Sequence, residues 1–469
     1  MRSKQKGEPL ALHEQGTTPR SLPQERYAVA NQLCTTGIQR YQRGCLQEAM
    51  QLWQQALQVS PDCAPAMLNL GVAYRDMGNI EVAIQSFHKA LAIRPSFAEA
   101  HTNLAFTWHI SGKFQEAVAP YLEAIRYRPD FAEAHTNLDV LLHQNIKNPE
   151  LTRACYAQLW ERTPHLEKVG PRRLRIEVAS ACNLRCQHCP TGTNYRGTER
   201  RVMSMAVFEE ILRQMQDMPI LREVVLYLSG EPLLNKNLPV MCRRIKDETR
   251  VTRVIFNTNA MLLTEAWCHE LAHAGVDKID VSIDGRSPEE NDFIRVGARY
   301  ETIVHNVNLL RHIAKDVQLV IANTVFKRPG DPETPATPDF LARDFPGIPV
   351  STNYAMKWPR LDVPNSSLRG LEIVVDERIE SFCKMPFTQM AVCPNGDVVL
   401  CCYDLLAEKV MGNMYQNTLM HIWIGSAYTY IRDTMLRKQT DCLPHVCKKC
   451  PIYSGEMLVE RVEQLPIVL

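Results

Sequence analysis

Two patterns of apolar and polar positions divide the chain. Residues 30–131 repeat with a period of 34, and the recurring small, aromatic and helix-ending positions predict paired helices. After residue 170 the pattern changes to short β-branched runs alternating with amphipathic stretches. The runs Leu174–Ser180, Glu223–Leu228, Arg253–Asn257, Lys278–Ile283, Gln318–Val325 and Val350–Tyr354 predict strands. Met205–Met215, Leu238–Asp247, Glu265–Ala274 and Tyr300–Ile313 predict the helices between them, with Ser204 as an N-cap. Such alternation gives a parallel sheet covered by helices, and six units make an incomplete barrel. Functional groups then belong at the strand C-termini and in the loops that follow. The polar first 27 residues predict a disordered leader with no apolar signal segment. Residues 146–170, with Pro149 and Pro164, predict a helical linker, and 383–450 predict little regular structure beyond a helix near Ser426–Lys438. The expected division is a leader at 1–27, repeats at 28–145, a linker at 146–170, the barrel at 171–370, a small domain at 371–455 and a tail at 456–469.

The repeat is carried by residues in phase. Pro61, Pro95 and Pro129 stop helices; Gly44, Gly78 and Gly112 permit turns. Trp53, Phe87 and Tyr121 share one aromatic position, with Ala49, Ala83, Ala117 and Ala56, Ala90, Ala124 as small positions around it. Together with Leu70-Gly71 and Tyr74, this resembles the tetratricopeptide (TPR) repeat, an all-α solenoid with a concave surface suited to an extended segment. A helix near Ala132–Gln144 copies Ala-Glu-Ala-His-Thr-Asn-Leu from 98–104 and reads as a cap without a partner helix.

Charge adds little. Lys+Arg (53) and Asp+Glu (52) nearly cancel, so nucleic acid is not an expected partner, and Arg172, Arg173 and Arg175 read as a solvated linker face. No run of 18 apolar residues occurs, so no membrane association is expected and the expected location is cytoplasmic. Cysteine changes the picture, because sixteen in a reducing compartment argue for metal or redox chemistry over disulfides. Six are scattered; the others fall at 182–189 and at 383–450.

Cys182, Cys186 and Cys189 follow the first predicted strand in the spacing C-x3-C-x2-C. Three thiolates on one loop can hold three irons of a cubane and leave the fourth open. The alternative is zinc, but zinc takes four ligands in closed geometry, and three cysteines plus His188 within eight residues crowd it. The pattern resembles the radical S-adenosylmethionine (SAM) superfamily. That resemblance implies a partial (β/α)6 TIM-like barrel and a [4Fe-4S] cluster whose open iron chelates SAM. It also implies reductive cleavage to a 5′-deoxyadenosyl radical and a low-potential donor such as flavodoxin or ferredoxin. His188 stands where relatives carry an aromatic residue near the adenine. Gly230 and Glu231, in Ser229-Gly230-Glu231-Pro232, match a motif whose backbone meets the methionyl amine, with Ser229 in place of the usual glycine. Asn259, followed by Ala260 where glycine is usual, and Ser282 and Asp284 end the next two strands and match SAM-facing positions. Arg295 matches an arginine that holds the SAM carboxylate.

In the second group, Cys383 and Cys401 bracket Gly396 as C-x12-G-x4-C, and Cys447-Lys448-Lys449-Cys450 follows. This resembles the SPASM/Twitch extension, which implies that Cys383, Cys401, Cys447 and Cys450 bind an auxiliary [4Fe-4S] cluster. Cys402 is the alternative to Cys401, Cys393 and Cys442 leave a second cluster open, and zinc is again the other metal. A fully ligated cluster suits electron transfer. The expected activity is oxidative modification of a peptide or protein, recruited by the repeats. The alternatives are dehydrogenation of a small sugar or aminocyclitol, and a non-enzymatic TPR interaction protein with structural metal. No acid/base residue is assigned; Tyr227, Tyr354 and Asp404 are available.

Overall fold

In the computed structural model, residues 24–146, 148–163, 165–191, 201–355, 371–375, 382–450 and 456–460 are described. Most of the leader expected at 1–27 lies outside them, but its last residues belong to the first helix, Gln24–Gln42. Two units divide after Leu166.

The first unit is a run of antiparallel helix pairs, and the in-phase residues explain it. Gly44, Gly78 and Gly112 all take a left-handed backbone, with φ of 83°, 83° and 76°, where a side chain would strain the turn. Trp53, Phe87 and Tyr121 are all fully buried. Each ring, carried by the second helix of its repeat, packs against the first: a methyl on Gly71 would stand 2.5 Å from the Phe87 ring, Trp53 donates its indole N–H to Cys34 O at 3.2 Å, and Tyr121 meets His109 edge-on. The expected linker is helical. The helix Ala132–Val140 runs on through a wide π-turn, Leu141–Ile146, and Pro149–Arg162 is a full helix packed on Phe114–Tyr127. Asn148 caps it by accepting Leu151 N–H at 3.0 Å, and Cys155, Tyr156 and Leu159 are its buried stripe. Polar composition at 146–170 hid a stripe only three residues wide.

The second unit is built on one sheet. Strands β1 (Arg173–Ile176), β2 (Glu223–Val225), β3 (Arg253–Thr258), β4 (Lys278–Asp284), β5 (Gln318–Val325) and β6 (Val350–Tyr354) pair in sequential order, all parallel. Helices separate them, among them Met205–Met215, capped by Ser204 as expected, Leu238–Glu248, Glu265–Ala272 and Tyr300–Ile313. Ile279, Val281 and Ile283 of β4 are fully buried, while Lys278, Asp280 and Ser282 on the other face are only half-buried. That polar alternate face is the lumen of an open barrel, whose edge strands do not pair with each other among the described residues. β1 and β2 stop short of their expected ends; Ala179 instead bridges Val202. Arg173 and Arg175 lie in β1, not on a linker face. Arg173 pairs with Glu223, and Arg175 donates to Gln389 Oε1 at 3.0 Å.

The region past residue 383 is more regular than its sequence suggests. β8 (Gln389–Val392) lies parallel beside β1 and extends the barrel sheet; β9 (Asp397–Val399) and β10 (Val410–Asn413) continue it antiparallel. A separate ladder pairs β7 (Leu371–Val375) with β11 (Glu456–Glu460), so the expected tail contains a strand. Among the described residues, no helix is long and apolar enough to cross a membrane.

Candidate functional site

The cysteine loop is fixed from three sides. Residues 293–296 hold its outer edge: Arg185 N donates to Val296 O and Gln187 N to Ile294 O, both at 2.9 Å, and Gln187 Nε2 to Phe293 O at 2.6 Å. The loop after β2 supports it from below. Glu231 N donates to Ala181 O at 2.7 Å, and a methyl on Gly230 would stand 2.2 Å from Ala181 O and 2.5 Å from Ala179 O. Only glycine permits that approach. The end of β3 supplies the third side, where Asn259 Nδ2 donates to Asn183 Oδ1 at 2.8 Å and approaches Cys182 Sγ at 3.8 Å.

The three thiols lie within electrostatic reach of one another. Burial, followed by neighbours that include Glu231 and the Cys189 thiol, raises the Cys182 pKa. Burial raises that of Cys186 to about 12, against the pull of Arg295. Burial thus keeps Cys182 and Cys186 protonated until a metal takes the proton's place. Among the described residues no three His, Cys, Asp or Glu side chains converge on a single metal ion. A cubane spreads its cysteines over separate irons and needs no such convergence.

Beside the loop lies a buried charged group. Arg295 Nη1 donates to Asp284 Oδ2 at 3.0 Å, and His188 Nε2 stands 3.7 Å from the same oxygen. Asp284 N donates to the fully buried Asn291 Oδ1 at 3.0 Å. Burial opposes the charge of Arg295, but Asp284 and the neighbouring thiols hold its pKa up. Burial lowers that of His188, whose ring meets Phe326 edge-on with centroids 5.7 Å apart. His188 Nδ1 and Arg295 Nε are buried with no hydrogen-bond partner. Orphaned polar atoms of this kind next to three thiols are what a polar cofactor bound on the loop would satisfy. The donor set therefore fits an iron–sulfur cluster with SAM on its open iron.

Two of the motif residues have their side chains engaged elsewhere. The buried Glu231 carboxylate accepts Thr258 Oγ1 at 2.7 Å, Asn259 N at 2.8 Å and Leu233 N at 3.1 Å, so it clasps the ends of β2 and β3 together. Ser229 donates its hydroxyl to the buried Glu177, a residue the sequence reading did not single out. Ser282 is half-buried on the lumen face of β4, level with Ala322 of β5. Ala260 adopts φ 60°, which explains why glycine suits this position. Ala260→Gly removes a penalty of about 1–2 kcal/mol and adds chain entropy to the unfolded state. The expected net gain, about 0.5–1 kcal/mol, is read as a higher urea midpoint for the barrel.

The second cysteine group gathers on the extension of the sheet. Cys383, Cys401, Cys447 and Cys450 are all buried, and none of the sixteen cysteines is in a disulfide. Burial pushes Cys383 and Cys401 well up and Cys447 to about 12, with neighbouring thiols of the group adding to each. Cys402 is half-buried and packs against an apolar cluster of Leu228, Ala391, Cys393, Val399 and Leu405. Cys442 is exposed. The fully buried Arg432 donates to Pro386 O and Trp423 O, both at 2.8 Å, and stacks on Trp423 at 4.1 Å. It ties the segment after Cys383 to the helix Leu419–Ile424.

Comparison with known proteins follows this geometry. Residues 176–334 match the radical SAM superfamily model, 383–451 the SPASM iron–sulfur cluster-binding domain, and 71–109 and 108–145 the TPR repeat. A probable GTP 3′,8-cyclase of Methanococcus maripaludis is 31% identical over 28% of this chain, and the match spans 43% of the cyclase's length. The SAM-dependent 2-deoxy-scyllo-inosamine dehydrogenase of Niallia circulans is 24% identical over 63% of this chain and 97% of its own. Among solved structures, BtrN in complex with AdoMet and 2-DOIA aligns with a TM-score of 0.42 at 20% identity, covering 60% of this chain and 92% of BtrN. Streptococcus suis SuiB bound to S-adenosylmethionine aligns at 0.42 and 15%, covering 71% and 86%. The two matched cluster-binding domains imply [4Fe-4S] clusters and SAM as cofactors. The chain therefore carries, in order, TPR repeats, a radical SAM superfamily domain and an iron–sulfur cluster-binding domain.

Proposed function

We propose that this chain is a radical SAM enzyme that oxidatively modifies a peptide or protein, with Cys182, Cys186 and Cys189 holding the SAM-binding cluster. Cys383, Cys401, Cys447 and Cys450 hold an auxiliary cluster that accepts the substrate's electron. The carrying observation is the pair of cysteine sets on one sheet, a three-thiol loop beside orphaned His188 and Arg295 atoms and a separate buried set of four. When bound, cluster and SAM supply a reductively generated 5′-deoxyadenosyl radical that abstracts hydrogen from substrate. The chain's own residues bind and orient. Gly230 and Asn259 brace the loop, Arg295 offers a guanidinium toward the SAM carboxylate, Asp284 holds that guanidinium charged, and His188 and Phe326 offer ring surface. The TPR unit supports a peptide or protein substrate, since stacked repeats present an extended surface. A low-potential flavodoxin- or ferredoxin-type protein is the proposed donor.

A second reading, dehydrogenation of a small sugar or aminocyclitol, draws support from the N. circulans dehydrogenase, which is matched over 97% of its length. Removing residues 1–166, where the first unit ends, separates the two. A TPR-recruited polypeptide is expected to lose turnover while SAM cleavage without substrate persists. Unchanged turnover of a small polyol by the shortened chain sinks the polypeptide assignment.

A further inference from the structure

Three polar side chains were left without a role by the sequence, and the fold commits two of them. Tyr354 donates its hydroxyl to Pro332 O at 2.7 Å. Asp404 accepts the N–H groups of Glu408 and Lys409, each at 2.8 Å, and shapes the turn after Cys401. Tyr227 differs. The parallel ladder continues past β2 through Leu226 N to Ile255 O at 2.8 Å, so alternation puts Tyr227 on the face opposite the fully buried Val224 and Leu226. That is the lumen face, one strand from the cysteine loop and two residues before Ser229. The thiols of Cys189 and Cys182, the Arg295 guanidinium and the Glu231 carboxylate are titratable groups that act on its phenol. Its hydroxyl makes no hydrogen bond among the described residues.

We propose that the Tyr227 hydroxyl donates a hydrogen bond to the anionic acceptor assembled on the cysteine loop, either a sulfur of the cluster or the carboxylate of SAM on its open iron. The inference rests on the reading that Cys182, Cys186 and Cys189 hold a cluster. Burial and the adjacent thiols disfavour loss of the phenolic proton, so toward an anion this group can only donate. A hydrogen bond to a cluster sulfur raises the reduction potential, and one to a carboxylate strengthens ligand binding.

The test uses the full, anaerobically reconstituted chain with Tyr227→Phe and with 3-fluorotyrosine at 227, a stronger donor of nearly the same size. Redox titration followed by electron paramagnetic resonance is run without SAM, and SAM affinity is measured separately. If the acceptor is a sulfur, the SAM-free potential falls in the phenylalanine variant and rises in the fluorinated one. If it is the SAM carboxylate, the SAM-free potential stays put, while affinity falls about tenfold with phenylalanine and rises with fluorotyrosine. Potential and affinity equal to wild type in both variants overturn the proposal, as does a shift of the same sign in both, which marks a packing effect. Should Tyr227→Phe fail to hold iron, the fluorinated chain still decides by the sign of its shift. A wild-type chain with no reducible cluster on the loop refutes the underlying cluster assignment instead, and iron counting reveals it before either variant is made.

Discussion

Replacing Cys182, Cys186 and Cys189 together by alanine is expected to remove about four of about eight irons per chain, as cubane stoichiometry requires, and to abolish 5′-deoxyadenosine formation. The second set is expected to keep its iron. The cysteine loop is held by backbone bonds to Val296, Ile294 and Glu231, none of which needs a cysteine side chain. The auxiliary set comes from other segments, Cys383 before β8, Cys401 after β9, and Cys447 and Cys450 at the helix His445–Lys448. Iron and sulfide analysis of the triple variant beside wild type checks this directly. Loss of all the iron means that the two sets are not independent sites.

The second large effect concerns Asp284. Its carboxylate is the counter-ion of a buried guanidinium, since Arg295 and Asp284 are only 8% and 3% exposed. Asp284→Ala leaves that charge unpaired at an expected cost of about 3–5 kcal/mol. For a unit of this size the thermal midpoint falls by roughly 6 °C or more. Removing both partners is different in kind, because no charge is left stranded. Asp284→Leu with Arg295→Met is expected to recover most of the stability while SAM binding stays lost. A double variant as unstable as Asp284→Ala alone contradicts the ion-pair account and points to packing around Asn291.

What the sequence made legible was whatever is local along the chain. The spacing of Cys182, Cys186 and Cys189, the 34-residue phase of the repeats and the polar residues ending each strand are all short-range patterns. Their outcome in the fold is direct: Gly230, Asn259, Asp284, Arg295 and His188 all lie around the cysteine loop. Partners distant in sequence were not legible. Ser229 meets Glu177 across 52 residues, Arg175 meets Gln389 across 214, and β8 joins β1 from the far side of the barrel sequence. Such pairings depend on register, which no single segment encodes. β8 and β9 were hidden for a second reason. Gln389–Val392 is buried on every residue, so it has no alternation to read, and Asp397–Val399 is three residues long. The motif around Glu231 shows a third limit: the sequence pointed to its backbone, and gave no sign that the carboxylate oxygens are taken by Thr258, Asn259 and Leu233.

The central claim is that the loop after β1 builds an open-iron cluster that cleaves SAM. It is tested most directly by anaerobic reconstitution of the full wild-type chain, metal analysis, and incubation with SAM and a strong reductant. The account predicts about eight irons per chain, no stoichiometric zinc, and 5′-deoxyadenosine formed only when reductant is present. Stoichiometric zinc with no 5′-deoxyadenosine would contradict it and leave a metal-stabilised interaction protein in its place.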